Sequence, residues 1–332
     1  MNTLTQTEDT IVPRLEAAAE RVQRAQNEAA NVIFGQDEVI NRAMITILAG
    51  GHALLIGVPG LAKTLLVDTL GTVLGLDAKR IQFTPDLMPS DIIGSEVLEE
   101  SADQKRSFRF IRGPVFTQLL MADEINRASP KTQSALLQAM QEHHVTVAGE
   151  RHDVPEPFHV LATQNPLEQE GTYPLPEAQL DRFLLQVDVD YPDLSAERRM
   201  LYATTGSEKK TLESVLSASE IQDIQMLVRQ IPVPDKVVEA ILTLVRSARP
   251  GTGVNEDTDK NVAWGPGPRA SQAFMMAVRA RALIDGRLAP SVDDVVALAD
   301  PILKHRMALT FSARAEGESI SAIIARLASV LE

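Results

Sequence analysis

Cysteine is absent from this chain of 332 residues. Without thiols the protein can form no disulfide, use no thiolate nucleophile and bind no metal through a cysteine sulfur. The absence also fits a reducing compartment, and we expect the protein to be cytoplasmic. Residues 1–15 are polar and lack the apolar core of a secretion signal, so we expect no such signal.

Positive charge and long apolar runs are also scarce. The chain has 32 Lys and Arg against 45 Asp and Glu, a formal net charge of −13. This balance repels polyanions on average, so we expect no generic binding to nucleic acid or acidic membranes. The most hydrophobic stretch, residues 43–58, is interrupted by Thr46 and His52 and is too short to span a bilayer. We therefore expect no direct membrane insertion.

A glycine-punctuated loop follows a short apolar run and precedes a helical pattern. Its residues are Gly57, Val58, Pro59, Gly60, Leu61, Ala62, Lys63 and Thr64, followed by Leu65. Such a loop aims backbone N–H groups at phosphate oxygens, while Lys63 would contact the β- and γ-phosphates and the Thr64 hydroxyl would ligate Mg²⁺. Ala62 departs from the motif, which has glycine before the lysine. The alternative is a Gly/Pro turn before a core helix.

Two carboxylates, Asp123 and Glu124, end a second apolar run at residues 119–122. They would lie at the C-terminal tip of a buried strand, where doubly wound sheets bind their ligands. We interpret this as a Walker B element. Asp123 would hold a hydrated Mg²⁺, and Glu124 would orient and deprotonate the attacking water. The order of the two motifs disfavours the alternative, a solvated acidic loop.

The alternation of elements predicts an α/β fold with a parallel sheet covered on both faces. Strand-like runs occur at residues 52–56, 119–122, 158–163 and 184–189. Two inserted hairpins are also predicted. One pairs residues 96–99 with 107–111 around the tip 100–106, and the other pairs 145–147 with 152–154 around a turn at Gly149-Glu150.

Beyond Asp193 the pattern is helical only. Helices are predicted at residues 195–205, 217–230, 235–248, 269–284, 291–300 and 319–331, with a glycine-rich loop at 251–268. We therefore predict an α/β nucleotide-binding domain at residues 1–191 and an all-α domain at residues 192–332.

Four blocks of sequence carry a family resemblance. They are the loop 57–64, the run Ala-Asp-Glu-Ile-Asn-Arg at 122–127, the segment Ala-Thr-Gln-Asn-Pro at 162–166, and Gly-Thr-Tyr-Pro-Leu-Pro-Glu-Ala-Gln-Leu-Asp-Arg-Phe at 171–183. The chain resembles the MoxR family of AAA+ ATPases over nearly its whole length, and the family is similar to it at Ala62 as well.

The resemblance implies a fold, an activity and partners. The fold is an AAA+ P-loop core followed by an all-α lid, and the activity is Mg²⁺-dependent ATP hydrolysis. The partners are further copies of the chain, usually in a hexameric ring, and protein clients that are remodelled or matured. A protein with a von Willebrand factor A domain is often a further partner.

The resemblance also assigns two roles close to the nucleotide. Asn165, at the end of the strand 158–163, is similar to sensor 1, whose amide holds the attacking water or the γ-phosphate. The alternative is an Asn-Pro turn. Gly35 and Gln36 occupy the position where the family seats adenine against an apolar N-terminal segment. The preceding Val-Ile-Phe at 32–34 is equally compatible with ordinary core.

Two arginines complete the resemblance. Arg182 is similar to the arginine finger that one subunit presents to its neighbour's γ-phosphate. Its alternative is an ion pair with Asp181 or another acid nearby. Arg269 resembles sensor 2 and would bring the helical domain onto the same phosphate. Its alternative, a solvated arginine at a helix start, is unusual because the positive end of a helix disfavours cations.

Two rival functions remain open. One is a magnesium-chelatase-like ATPase subunit that drives metal insertion, which only the identity of the partner would distinguish. The other is a nucleic-acid motor, which the acidic balance disfavours. We expect no metal site at His143, His144 and His152, because no Asp, Glu or Cys lies at a convincing ligand spacing.

Overall fold

The structure of the chain, a computed structural model, describes residues 4–100, 106–168, 171–205 and 211–331, and side chains from residue 11 onward. The strands are β1 (Ala53–Ile56), β2 (Ala78–Gln82), β3 (Gly94–Glu100), β4 (Arg106–Arg112), β5 (Leu119–Asp123), β6 (His144–Val147), β7 (Glu150–Asp153), β8 (His159–Gln164), β9 (Leu185–Asp188), β10 (Val262–Trp264) and β11 (Ala308–Leu309). The helices are α1 (Leu4–Ala30), α2 (Asp37–Leu48), α3 (Lys63–Val73), α4 (Pro89–Ile93), α5 (Pro130–Glu142), α6 (Glu177–Leu180), α7 (Leu194–Thr205), α8 (Ala218–Gln230), α9 (Asp235–Ser247), α10 (Glu256–Asn261), α11 (Pro268–Ile284), α12 (Val292–Leu303), α13 (Phe311–Ala315) and α14 (Ile320–Ala328). Short 3₁₀ turns lie at Ile125–Arg127, Lys304–Arg306 and Ser329–Leu331.

A parallel sheet in the order β2-β5-β8-β1-β9 forms the centre of the molecule. The predicted α/β sheet is therefore confirmed, and the four predicted strands match β1, β5, β8 and β9. The sequence did not predict β2. This strand lies at the edge of the sheet and carries Lys79 and Arg80, so it lacks the continuous apolar character that marks the buried strands.

Both predicted hairpins are present. β3 pairs with β4 from Gly94 opposite Arg112 to Glu100 opposite Arg106, and the rest of the predicted tip, residues 101–105, lies outside the described residues. The turn of the second hairpin was placed one residue too late. It is formed by Ala148 and Gly149, with φ of 50° and 87°, while Glu150 already pairs with Val147 in the ladder. Positive φ at both positions is the geometry of a two-residue type I′ turn.

The C-terminal region is mainly helical, but the prediction of helices only was wrong. The predicted loop 251–268 contains α10 and β10, and β10 pairs antiparallel with β11. The side chain of Asn255 caps α10 by accepting a hydrogen bond from the Thr258 N–H. Two- and three-residue strands are too short to show a period in the sequence, which is why they were missed.

Apolar cores cover both faces of the sheet. One core joins the sheet to the N-terminal helices and to the C-terminal helices, with Val22 of α1, Leu70 of α3 and Phe274 of α11 all buried in it. The other contains Leu137 of α5 and Val160 of β8 and lies next to the hairpins. The first core is continuous across the predicted domain boundary at residue 191, so that boundary stays a prediction.

Candidate active site

A cavity of about 810 Å³ opens where β1, β5 and β8 end. Open α/β sheets bind ligands at the carboxyl ends of their strands, and the volume lies within the range of small-molecule sites. The predicted binding residues that line it are Gln36, Pro59, Gly60, Leu61, Ala62, Lys63, Thr64, Leu65, Asp123, Glu124 and Asn165. The predicted residues Gly35, Gly57 and Val58 are not among the residues that line it, and their roles stay predictions.

The phosphate loop has the backbone that the motif predicts, with one strained residue. Gly60 has a φ of 87°, and a side chain at Gly57 would approach the Val189 carbonyl to 2.6 Å. Ala62 takes the left-handed conformation, with φ 56° and ψ 21°, directly before α3 begins at Lys63. This conformation costs an alanine roughly 1–2 kcal/mol. The first residues of α3, Lys63, Thr64 and Leu65, line the cavity, so the N-terminal end of this helix is available to bind an anion there.

Lys63 folds back onto its own loop. Its Nζ donates to the carbonyl oxygens of Gly57 at 2.5 Å and Val58 at 3.0 Å. Burial lowers the pKa of Lys63 from its ordinary value, while attraction to Asp123 and Glu124 acts in the opposite direction and raises it. The ammonium group thus lies inside the cavity, close enough to both carboxylates to interact with them.

Both oxygens of Asp123 have hydrogen-bond donors. Oδ1 accepts from the Thr163 hydroxyl at 2.6 Å, and Oδ2 accepts from Arg80 at 2.6 and 3.2 Å. The same Thr163 hydroxyl accepts from the Glu124 N–H at 2.8 Å. A single hydroxyl on β8 therefore fixes both consecutive acidic residues at the end of β5.

Glu124 is held by polar side chains on either side of it. Its Oε2 accepts from Gln82 Nε2 at 2.6 Å and from Arg127 at 3.0 Å, and its backbone has a φ of 54°. Gln82 also accepts from Arg80 at 2.9 Å, so neighbouring side chains of β2 hold both carboxylates. Sequence reasoning missed Arg80 and Gln82 because it missed their strand, although the polar-apolar alternation of Arg80, Ile81, Gln82 and Phe83 was a signal.

Asn165 lies where the prediction placed it. It follows β8, which lies between β5 and β1, and it is 6% exposed. Its Oδ1 accepts from the Leu167 N–H at 3.1 Å, so the Asn-Pro turn of the alternative interpretation is present as well. The two interpretations are compatible, and its sensor role stays a prediction.

The apolar end of the cavity is formed before α2. Val32, Ile33 and Phe34 all line the cavity, and Ile33 is also part of the buried core, so both interpretations of this segment apply. Gln36 Nε2 donates to the Leu61 carbonyl at 3.3 Å and links this segment to the phosphate loop. A side chain at Gly35 would approach the Ala196 Cβ of α7 to 2.3 Å, which explains the glycine.

The two predicted arginines lie in a different cleft. Arg182 and Arg269 line a cleft of about 300 Å³ together with Arg306 and residues 50–52, which directly precede β1. The loop with Lys63 follows β1, so the arginines lie at the opposite end of the sheet. The helical region therefore does not place Arg269 beside Lys63 of the same chain. A sensor 2 role within a single chain would require that position.

Arg182 itself is partly buried, and not all of its donors have partners. One of its terminal nitrogens donates to the Leu137 carbonyl at 2.6 Å, while its buried Nε has no hydrogen-bond partner among the described residues. Burial lowers its pKa, and the nearby Arg269 lowers it further. The proposed alternative pair with Asp181 is not formed, because Asp181 pairs with Arg306 at 2.8 Å.

Comparison with known proteins identifies the family. The model of the "ATPase family associated with various cellular activities (AAA)" matches residues 52–185, and that of the AAA lid domain matches 255–327. Chaperone MoxR1 of Mycobacterium tuberculosis is 41% identical, over 94% of this chain and 82% of its own. The chain belongs to the MoxR family of AAA+ ATPases.

Other MoxR-type relatives cover the chain as fully. Protein MoxR of Methylorubrum extorquens is 30% identical over 93% of this chain and 92% of its own. The crystal structure of a proposed ATPase from Cytophaga hutchinsonii superposes with a TM-score of 0.88 at 36% identity, covering 97% of each chain. This MoxR-family protein is thus an ATP-hydrolysing enzyme with an AAA+ core and lid.

The described part of this MoxR-family chain shows no helix with the length and apolar character needed to cross a membrane.

Proposed function

We propose that this protein hydrolyses Mg²⁺-ATP at a site shared by two subunits of a homo-oligomeric ring, and that the cycle remodels or matures client proteins. The observation that carries the proposal is the separation of Arg182 and Arg269 from the cavity beside Lys63. The two sites lie at opposite ends of parallel strands. β1 alone has 4 residues and spans about 13 Å.

The charges of the two ends support an assembly of this kind. Around the nucleotide, Asp123 and Glu124 add negative charge to that of a triphosphate. In the other cleft, three arginines lie together, and burial lowers the pKa of both Arg182 and Arg306. An anion supplied from outside would stabilise the clustered cations, and a neighbour's γ-phosphate is such an anion. A head-to-tail contact that repeats and closes forms a ring.

Within the cavity, the residues divide the work of hydrolysis. The N–H groups of the loop 57–64 and Lys63 would bind the phosphates. Thr64 and Asp123 offer the oxygen donors that Mg²⁺ prefers, and the bound ion would neutralise charge on the β- and γ-phosphates. Glu124 would accept a proton from the attacking water.

The proposal extends to assembly and partners. We propose a hexameric ring in the cytoplasm, protein clients and a von Willebrand factor A domain partner, as the family resemblance implies. The name of the mycobacterial relative, a chaperone, supports a client that is a protein. The paired hairpins, which meet where Phe110 stacks on His152 with ring centroids 4.0 Å apart, are candidate elements for transmitting the cycle to a client.

Subunit mixing tests the shared site. Arg182→Ala should bind ATP almost normally and hydrolyse it slowly, because an arginine finger stabilises charge in the transition state. Glu124→Gln should also be slow. A mixed ring contains interfaces where an intact Glu124 meets an intact Arg182, so ATPase activity should rise above that of either variant alone.

The mixing experiment needs proof that subunits exchange. Light scattering and a fluorescent label on one variant establish that mixed oligomers form, because failed exchange imitates a negative result. The rate is then measured across mixing ratios. If confirmed mixed rings show no recovery at any ratio, Arg182 acts within its own chain and the shared site is excluded.

A further inference from the structure

Arg306 is a buried cation whose hydrogen bonds converge on the segment that carries Arg182. It is 2% exposed. Its Nε donates to Asp181 Oδ1 at 2.8 Å, one terminal nitrogen donates to the Phe183 carbonyl at 2.6 Å, and the other donates to the Leu184 carbonyl at 3.2 Å. The guanidinium thus binds the backbone or side chain of residues on both sides of Arg182.

The two residues before Arg306 bind the same stretch of chain. His305 Nε2 donates to the Phe183 carbonyl at 3.1 Å, and Lys304 Nζ forms an ion pair with Asp188 at 2.5 Å. All three residues of the turn Lys304–Arg306 therefore contact residues 181–188. Directed polar contacts from consecutive residues fix a position more narrowly than apolar packing does.

This turn belongs to the helical region. It directly continues α12, and Arg306 also donates to the Ile302 carbonyl of that helix at 2.5 Å. α12 packs against α11, which carries Arg269 near its first residue. The Arg182 segment and Arg269 are consequently linked through α11, α12 and the turn, although the two arginines lie 87 residues apart in the sequence.

We propose that Arg306 is a positioning residue that ties the Arg182 loop to the helical region, so that the two predicted arginines keep a fixed arrangement in their cleft. At 2% exposed, Arg306 would act through Arg182 and not by touching the neighbour's phosphate. The proposal rests on the proposed function, in which Arg182 serves the site of a neighbouring subunit.

The test compares Arg306→Met with Arg182→Ala. Arg306→Met should lower ATPase activity by about 100-fold, since a misplacement of about 1 Å can cost that much, and should leave the affinity for a fluorescent ATP analogue unchanged. The double variant Arg182→Ala/Arg306→Met should be no slower than Arg182→Ala alone. Arg306→Lys keeps the charge but not the planar set of N–H donors, so its ATPase activity should be little higher than that of Arg306→Met.

Mixing separates a positioning role from general damage. Arg306→Met subunits have intact Glu124, so Glu124→Gln neighbours should rescue them as they rescue Arg182→Ala. Arg287→Met is the matched control, because Arg287 is likewise an arginine paired with an acid, the buried Asp294 of the helical region, at 2.6 Å. That variant should lower the melting temperature without the selective loss of activity.

A second variant covers the case in which Arg306→Met does not fold. Asp181→Asn removes the charged partner and leaves the carbonyl acceptors of Arg306 in place, and it should show the same loss and the same rescue. The proposal is overturned if folded variants lose nucleotide affinity, if the double variant is additive, or if they are not rescued while Arg182→Ala is. Failure of Arg182→Ala itself to be rescued would instead overturn the shared site.

Discussion

The two ends of the central sheet are built on different principles. At the carboxyl ends of β1, β5 and β8, a contiguous loop and two consecutive acids surround the cavity, and the backbone carries much of the site. At the amino ends of β1 and β9, three arginines from distant parts of the sequence meet above buried histidines. One end has the loop N–H groups, Lys63 and two carboxylates, and the other has three arginines. The arginines of one subunit would complete the cavity of its neighbour, and this is why we propose that the complete site lies between two subunits.

Substitutions at the carboxyl end should separate binding from hydrolysis, with the largest effects we expect. Glu124→Gln should keep nucleotide affinity and lower kcat by about 100-fold or more, because it removes the base. Lys63→Ala should weaken nucleotide affinity by about 10- to 100-fold, the worth of a hydrogen bond to a charged group. Fluorescence titration with a labelled nucleotide and steady-state ATPase rates measure both quantities.

We expect Arg182→Ala to resemble Glu124→Gln, which keeps nucleotide affinity and hydrolyses slowly, and not Lys63→Ala, which loses affinity. We expect this although Arg182 lies at the opposite end of the sheet in its own chain. Normal turnover in Glu124→Gln would contradict the Walker B assignment. Loss of affinity in Arg182→Ala would contradict the separation of the two ends.

The amino end should be the acid-sensitive one. Burial lowers the pKa of His52 from 6.5 to about 3 and that of His159 to about 4. His159 Nδ1 donates to the Gly51 carbonyl while Nε2 accepts from the Gln225 amide, so a second ring proton would face a donor. Below pH 6.5 these histidines are protonated in the unfolded chain but not in the folded chain. The free energy of unfolding is therefore at its full value above this pH and falls as the pH drops.

The expected loss is about 2 kcal/mol for each histidine near pH 5. Urea unfolding near pH 7.5 and near pH 5 measures it. His159→Gln can keep a donor for Gly51 and cannot titrate, so it should be less acid-sensitive than the unsubstituted protein. An unchanged pH dependence in this variant would show that His159 takes up its proton in the folded state.

The sequence predicted the residues at the carboxyl end of the sheet far better than those at the amino end, because the carboxyl-end residues form contiguous motifs. Loop 57–64 and the Asp123-Glu124 pair are contiguous motifs whose spacing states their chemistry. Arg182 and Arg269 entered only through the family resemblance. Arg306 carries no signal at all, because its role depends on a turn that packs against a segment more than 100 residues earlier.

The missed strand shows the same limit within the nucleotide end. β2 was overlooked because an edge strand with Lys79 and Arg80 lacks a buried pattern, and with it the partners of both acids were lost. Contacts such as Arg80 with Asp123 are set by strand order, with β2 beside β5, and a single sequence does not state that order. The motif residues can thus be identified from the sequence, whereas the side chains that hydrogen-bond to them cannot.

The smallest expected effect concerns the backbone of the phosphate loop, in a matched pair of substitutions. Ala62 and Gly60 both have positive φ, at 56° and 87°, and a side chain at Gly60 would meet nothing within 4 Å. Ala62→Gly should stabilise the nucleotide-free protein by about 0.5–1 kcal/mol, because relief of left-handed strain exceeds the extra entropy of glycine. Gly60→Ala should destabilise it by about 1 kcal/mol through conformation alone. A urea midpoint that falls for Ala62→Gly would mean that the alanine before Lys63 is unstrained, and one that rises for Gly60→Ala would mean that Gly60 does not need its positive φ.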